Sequence, residues 1–135
     1  MLVVVDTNVI VSAFWSSDGN PAQIIALIQN NILVPCYDYR ILEEYTQVLL
    51  RPKFGFDKSE VGDFLSQIKH DGISVAAKPL GIPFVDESDK KFYEVAKQLS
   101  AKLITGNSKH FPADDLIIAP SELLKIVWKE NSQSD

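Results

Sequence analysis

The segment LVVVDTN at residues 2–8 decides the fold class. Its four apolar residues, three of them β-branched, are typical of a strand that is buried on both faces of a parallel sheet. Asp6 follows that strand directly. Because an unpaired buried charge is costly, this carboxylate either caps a turn through backbone N–H groups or belongs to a functional site. The residues themselves leave both interpretations open.

Short apolar segments and amphipathic helical segments alternate along the rest of the chain. Strands are predicted at residues 2–5, 32–34, 73–77, 101–105 and 116–118. Helices are predicted at residues 20–29 with Asn20 as N-cap, 38–49 with Asp38 as N-cap, 59–69, from Asp86 or Ser88 to 99, and 120–128. This alternation predicts a parallel sheet with helices on both faces. Ligands of such sheets bind beyond the carboxyl ends of the strands, so residues that follow strands are the candidates.

The bulk composition predicts one soluble, cytoplasmic domain. The chain has 135 residues, one cysteine and a net charge of −5, which fits a single core without disulfides. We expect a domain at residues 1–128 and a loose polar tail at residues 129–135. No apolar run is long enough to span a membrane. The acidity argues against binding of nucleic acid through a general basic surface, but a bound cation can supply positive charge to an acidic site.

The predicted helix over residues 38–49 offers two acids, which its apolar stripe distinguishes. At about 100° per residue, Glu44 lies roughly 100° from the centre of the stripe, and Glu43 lies roughly 160° from it. Glu44 can therefore reach a cleft beside the sheet, whereas Glu43 faces solvent. Taken alone, Glu44 is equally consistent with a surface ion pair.

Further polar residues follow the later strands. Asp86 and Asp89 flank a helix start, where acids cap N–H groups and where anions and metals are also bound. After the strand at 101–105, Asn107 offers an amide oxygen, and Lys109 and His110 could meet a phosphate. As alternatives, Asn107 is a turn residue and His110 packs against its neighbours.

Clustered carboxylates would suit one kind of chemistry. Mg²⁺ and Mn²⁺ prefer hard oxygen ligands, and phosphodiester hydrolysis needs an activated water and charge compensation. The sequence has no cysteine–histidine zinc spacing, no phosphate-binding glycine loop and no nucleophile elbow.

Four segments together resemble PIN-domain proteins, in particular the toxins of toxin–antitoxin systems. The resemblance runs from about Met1 to Trp128. The segments are VVVDTNVIVS (3–12), ILEEYTQVLLRPKF (41–54), DESDKKF (86–92) and LITGNSKHFP (103–112). The resemblance implies a three-layer α/β/α fold with a five-stranded parallel sheet, endoribonuclease activity with Mg²⁺ or Mn²⁺, homodimers and inhibition by a cognate antitoxin.

The resemblance also implies roles for particular residues. Asp6, Glu44 and Asp89 would be the metal-binding acids, with Asp86 beside them as a fourth acid. Asn8 and Thr105 would support the site by hydrogen bonding.

The family pattern is not complete at one catalytic position. Many members have an aspartate where this chain has Asn107, and the missing charge puts a second metal ion in doubt. The hypothesis is therefore RNA hydrolysis through one metal held by Asp6, Glu44 and Asp89. The candidates for guiding the phosphate backbone are Arg51, Lys90, Lys91, Lys109 and His110.

Two alternatives remain open at this point. The same fold could be an RNA- or protein-binding module with a degraded metal site, which Asn107 favours. A magnesium-dependent phosphatase or phospho-acceptor enzyme could use a similar sheet, but such enzymes usually carry an acidic pair after the first strand. Here Thr7 and Asn8 follow Asp6.

Overall fold

The protein, represented by a computed structural model, is described over residues 1–133. The strands are β1 (Leu2–Val5), β2 (Val34–Tyr37), β3 (Ile73–Ser74), β4 (Lys102–Ile104) and β5 (Ile117–Ile118). The helices are α1 (Thr7–Trp15), α2 (Asn20–Gln29), α3 (Tyr39–Leu49), α4 (Lys58–Asp71), α5 (Lys90–Leu99) and α6 (Pro120–Gln133). Short 3₁₀ turns lie at Pro52–Phe54, Glu87–Asp89 and Ser108–His110.

The five strands form one all-parallel sheet in the order β3-β2-β1-β4-β5. The β1 strand is central, and its residues Val3, Val4 and Val5 are at most 2% exposed. Helix α5 contacts β1, β2 and β4, while α2 packs against α1 and α6. The predicted three-layer α/β/α fold with a five-stranded parallel sheet is confirmed.

The order of the strands reverses between β1 and β4. The chain moves from β1 outward to β2 and β3, then crosses to β4 on the other side of β1 and continues to β5. The carboxyl ends of β1 and β4 therefore flank the switch point, where open α/β sheets bind their ligands. Asp6 follows β1, and Thr105 follows β4.

Helix α1 was not predicted from the sequence. Residues 9–15 are almost all apolar, so they show no period that distinguishes a helix from a strand. The helix begins because the Asp6 carboxylate accepts the N–H of Asn8 and acts as its N-cap. Val9 and Ile10 of α1 are buried.

The predicted bounds of the second strand were wrong. We predicted a strand at residues 32–34 that stops before Pro35, but β2 begins at Val34 and runs through that proline to Tyr37. Pro35 pairs with Val3 of β1, whereas β3 pairs only with Cys36 and Tyr37. The proline thus precedes the part of β2 that is paired on the β3 side, so its missing N–H removes no bond from that ladder.

Several helix and strand ends shift by a few residues. The N-cap of α2 is Gly19 rather than Asn20, whereas Asp38 caps α3 as predicted. The β3 strand is shorter than predicted.

Helix α6 crosses the predicted domain boundary at residue 128 without a break and ends at Gln133. Residues 129–133 of the predicted polar tail belong to this helix, and residues 134–135 lie outside the described residues. Within residues 1–133, no helix has the length and apolar character that a membrane span requires.

Candidate active site

Asp6 occupies the switch point of the sheet and is only 4% exposed. Its Oδ2 accepts a hydrogen bond from the Thr105 hydroxyl at 2.8 Å, and its Oδ1 accepts from the backbone N–H of Asn8 at 3.3 Å. Its own N–H donates to the carbonyl of Ile104 in β4 at 2.9 Å. The carboxylate is therefore held between the ends of the two central strands.

The burial of Asp6 has an electrostatic cost. Desolvation raises the pKa of its carboxyl above the ordinary value, and the nearby Glu44 charge raises it further, against the hydrogen bonds from Thr105 and Asn8. A capping aspartate on a protein surface would not show this combination. A cation placed beside Asp6 would stabilise its charged form.

Glu44 lies on α3 and turns toward Asp6. One of its oxygens accepts a hydrogen bond from the buried Thr7 hydroxyl, and the other lies 2.9 Å from the ammonium of Lys91. Glu43, the next residue along the helix, is exposed and accepts only from Gln47. The structure thus separates the two acids as the helical period predicts.

Asp89 ends the 3₁₀ turn before α5 and is 17% exposed in its side chain. One of its oxygens lies 3.5 Å from Nδ1 of His110. Burial raises the pKa of Asp89, and the neighbouring charges of Asp6 and Asp86 raise it further. The charge of Glu44 on α3 therefore acts on Asp6, and the charge of Asp6 acts on Asp89 at the start of α5.

Asp86 is placed differently from these three acids. It is exposed, and its carboxylate accepts from the N–H of Ser88 at 2.9 Å and from the Ser88 hydroxyl at 2.7 Å. These hydrogen bonds lower the pKa of Asp86. Its observed contacts are those of a cap on the turn that carries Asp89.

Of the polar residues expected near Asp6, only Thr105 contacts it through a side chain in the described part of the structure. The Thr105 hydroxyl, which is 1% exposed, donates to Asp6 and accepts from the backbone N–H of Asn107 at 3.0 Å. Asn8 reaches Asp6 through its backbone, and its side chain is exposed. Asn107 is also exposed and caps the following 3₁₀ turn without a side-chain hydrogen bond.

Of the basic side chains expected near phosphate, Lys91 and His110 contact the acids directly. Lys90 lies 3.6 Å from the exposed Glu87. Lys109 is exposed in the loop after β4, and Arg51 is exposed beyond the end of α3, roughly two helical turns from Glu44. The sequence does not distinguish Lys91 from Lys90 as a candidate for contacting phosphate, because the two residues are adjacent and have the same side chain.

A buried ionic network beside the site was not foreseen. Arg40 lies 2.6 Å from Asp38 and 3.0 Å from Glu94, and both acids are less than 5% exposed. Glu94 also accepts the N–H of Leu80 at 2.7 Å. The network ties α3 to α5 and to the segment before Asp86. The sequence does not indicate Glu94, because at about 100° per residue it lies roughly 150° from the centre of the apolar stripe of α5, on the side predicted to face solvent.

An open groove of about 620 Å³ connects these elements. Glu44, Lys91 and Glu94 lie on its walls, together with the exposed Tyr39. The groove gives a large polar substrate access to Glu44 from solvent.

The donors suit a hard divalent cation. Asp6, Glu44 and Asp89 supply only carboxylate oxygens. The charge of Glu44 raises the pKa of Asp6, and the charge of Asp6 raises the pKa of Asp89, and a cation would offset both effects. Within the described residues, no three Asp, Glu, His or Cys side chains are drawn together as a ready ligand group. Lys91 instead forms an ion pair with Glu44, and the His110 ring lies beside Asp89.

Comparison with known proteins gives one match, to a family model. The family model described as PIN domain matches residues 2–109, which include all the acids of the site. No curated protein and no solved structure matches the chain. PIN domains are typically metal-dependent nucleases, which sets the magnesium phosphatase alternative aside. On the extent of this match and the observed sheet, the chain belongs to the PIN-domain family.

Proposed function

We propose that this protein is an endoribonuclease that depends on Mg²⁺ or Mn²⁺, with Asp6, Glu44 and Asp89 as its metal-binding acids. The observation that carries the proposal is the burial of Asp6 at the switch point, with the charge of Glu44 directed at it. A substrate can reach Glu44 from solvent, because this residue lines the open groove.

The chain's own residues would orient the reaction. Thr105 and the N–H of Asn8 fix both oxygens of Asp6, and Thr7 fixes one oxygen of Glu44. A bound Mg²⁺ or Mn²⁺ would lower the pKa of a water and offset the charge that develops on the phosphate. Lys91 and His110, already beside the acids, can donate to phosphate oxygens once RNA enters.

Other residues have lesser roles in this proposal. Asp86 holds the turn of Asp89, and the Asn107 amide contacts substrate or a bound water. Lys90, Lys109 and Arg51 add positive charge along the path of the RNA. Because Asn107 supplies no charge, we propose one metal ion rather than two.

A cleavage assay tests the enzyme directly. Wild-type protein is incubated with labelled single-stranded RNA and Mn²⁺, with and without EDTA, beside Asp6→Asn and Glu43→Gln. Cleavage should require metal, be lost in Asp6→Asn and persist in Glu43→Gln, because Glu43 faces solvent on the same helix. Equal cleavage with EDTA, or by Asp6→Asn, would rule out the proposed chemistry.

We further propose that the nuclease is the toxin of a toxin–antitoxin pair, acting in the cytoplasm as a homodimer with a domain at residues 1–128. The four motifs that resemble such toxins support this role. Induced expression should arrest growth for wild type and not for Asp6→Asn, and co-expression of a gene adjacent to its own should restore growth. Arrest by both proteins would contradict a toxin that acts through RNA cleavage.

A binding module is the second candidate. The pairing of Glu44 with Lys91 and of Asp89 with His110 favours it, since these contacts satisfy the acids without metal. Such a module would bind RNA without cleaving it and would take up no Mn²⁺ through Asp6.

A further inference from the structure

Four aromatic rings meet where α1 ends beside the turn after α3. Trp15 lies 5.9 Å from Phe54 and 5.4 Å from Phe56, and Phe54 stacks on Phe56 at 5.2 Å with an angle of 11° between the rings. Phe14 lies 5.5 Å from Phe56 and 5.6 Å from the buried Phe64, which anchors the group to the core. We call Phe14, Trp15, Phe54 and Phe56 the aromatic platform.

Packing alone does not account for the position of Trp15. Although it contacts two other rings, 65% of its surface is exposed. Large aromatic side chains normally bury most of their surface in a core or at an interface. A tryptophan that contacts other rings and is still mostly exposed offers a surface on which a nucleobase can stack.

Positive charge lies on the Phe54 side of the aromatic platform, whereas the cavity beside Phe14 is lined by Glu60 and Asp63. The ammonium of Lys53 lies 5.2 Å from the centre of the Phe54 ring. Residues 51–58 contain three basic side chains, Arg51, Lys53 and Lys58, against one acid, Asp57, so the segment carries +2 in a chain of −5. Within the described residues, Arg51 and Lys53 form no ion pair with a carboxylate.

Helix α1 connects the aromatic platform to the acidic site. Asp6 caps the first turn of this helix, and Trp15 is its last residue. Nine residues at about 1.5 Å each separate them by about 14 Å. A stacked strand advances about 3.4 Å per nucleotide, so this distance corresponds to about four nucleotides.

We propose that the aromatic platform binds single-stranded RNA by base stacking, with Arg51 and Lys53 on the phosphates, about four nucleotides from the acids. This inference rests on the proposed ribonuclease function and adds to it a base-stacking site on the far end of α1. RNA fits better than a second copy of the chain, because Arg51 and Lys53 beside Phe54 complement phosphate. Stacking tolerates any base, so the aromatic platform would favour single strands without selecting a sequence.

The two tryptophans of the chain make the test specific. Trp128→Phe leaves Trp15 as the only indole, and Trp15→Phe leaves Trp128, which is 53% exposed on α6, as a matched control. Single-stranded oligoadenylate is titrated into each protein in EDTA, which prevents cleavage. Fluorescence should be quenched in Trp128→Phe and unchanged in Trp15→Phe. Equal responses of the two variants would overturn the proposal.

Affinity measurements complete the test. By fluorescence anisotropy with labelled oligoadenylate, Trp15→Ala should bind at least about fivefold more weakly than wild type, the loss expected for one stacked base. Lys53→Ala should lower the slope of log affinity against log salt by about 0.7. Circular dichroism confirms that each variant is folded.

The outcomes separate this proposal from the ribonuclease proposal. Metal-dependent cleavage by wild type with unchanged affinity in Trp15→Ala would overturn the aromatic platform alone. Absence of metal-dependent cleavage would overturn the ribonuclease proposal, whatever the binding results. If Trp15→Ala converts a dimer into a monomer in sedimentation, the surface is an interface between copies and the RNA proposal is overturned.

Discussion

The ammonium of Lys91 lies 2.9 Å from a carboxylate oxygen of Glu44, between α5 and α3. The lysine side chain is 12% exposed and the glutamate side chain 28%, so solvent screens the pair only in part. Lys91 also donates to the carbonyl of Ser88 in the turn that carries Asp89. Glu44 would therefore have to lose its ion pair with Lys91 before it could bind a metal ion.

This relationship predicts that Lys91 competes with metal for Glu44. Lys91→Met should bind Mn²⁺ about fivefold more tightly than wild type, corresponding to about 1 kcal/mol for a partly screened pair. Isothermal titration calorimetry measures the change. Lys90→Met is the control, because Lys90 pairs with the exposed Glu87 instead. Weaker Mn²⁺ binding by Lys91→Met would show that the lysine helps to assemble the site.

The Thr105 hydroxyl should be required for stability. Thr105→Val keeps the shape of the side chain but leaves one oxygen of the buried Asp6 without its donor. An unsatisfied buried group of this kind costs about 1–3 kcal/mol, so the free energy of unfolding in urea should fall by that amount.

Thr46→Val is the matched control for this experiment. The Thr46 hydroxyl donates at 2.8 Å to the carbonyl of Leu42 within α3, which also accepts the helical hydrogen bond. Its removal should change stability by less than about 0.5 kcal/mol. Equal losses in both variants would mean that Asp6 does not depend on Thr105.

Asp114 provides a pH test of stability away from the acids. The N–H of Leu116, the hydroxyl of Tyr93 and the ammonium of Lys97 lower its pKa to about 2. Because the pKa is lower in the folded protein than in the unfolded chain, the stabilisation is complete above about pH 4 and is lost as the pH falls toward 2.

The free energy of unfolding of Asp114→Asn in urea should therefore be about 1–2 kcal/mol lower than that of wild type at pH 7. The gap between the variant and wild type should shrink to roughly half near pH 3. Asp115→Asn, which changes the exposed neighbouring residue, should match wild type at both pH values. A gap that does not vary with pH would mean that charge is not the source of the effect.

Local patterns predicted much of this fold. The β-branched run of β1 and the apolar stripes of α3 and α5 each contain the information that determines their structure. Helix α1 escaped prediction because an all-apolar segment has no periodic signal, and its cap looks the same in sequence as a turn. Pro35 suggested a strand end because proline lacks the N–H that a paired strand needs. It is tolerated here because β3 pairs only with Cys36 and Tyr37, which the local sequence does not show.

The position and chemistry of the acids predicted them as site residues, but did not predict the basic residues with which they pair. The pairs Glu44–Lys91, Asp89–His110 and Arg40–Glu94 join residues on different elements. Nothing in one sequence tells which of several lysines meets which carboxylate, because the pairing depends on how α3 and α5 lie relative to each other. The platform around Trp15 was missed for the same reason, as its rings come from α1 and from the segment after α3.

The central claim is that Asp6, Glu44 and Asp89 bind one divalent cation together. Calorimetric titration with Mn²⁺ of Asp6→Asn, Glu44→Gln and Asp89→Asn, beside Glu43→Gln, tests it directly. We expect one Mn²⁺ per chain in wild type and Glu43→Gln, and at least tenfold weaker binding in each of the other three variants. Unchanged Mn²⁺ affinity in any of those three, or no binding by wild type, would contradict it.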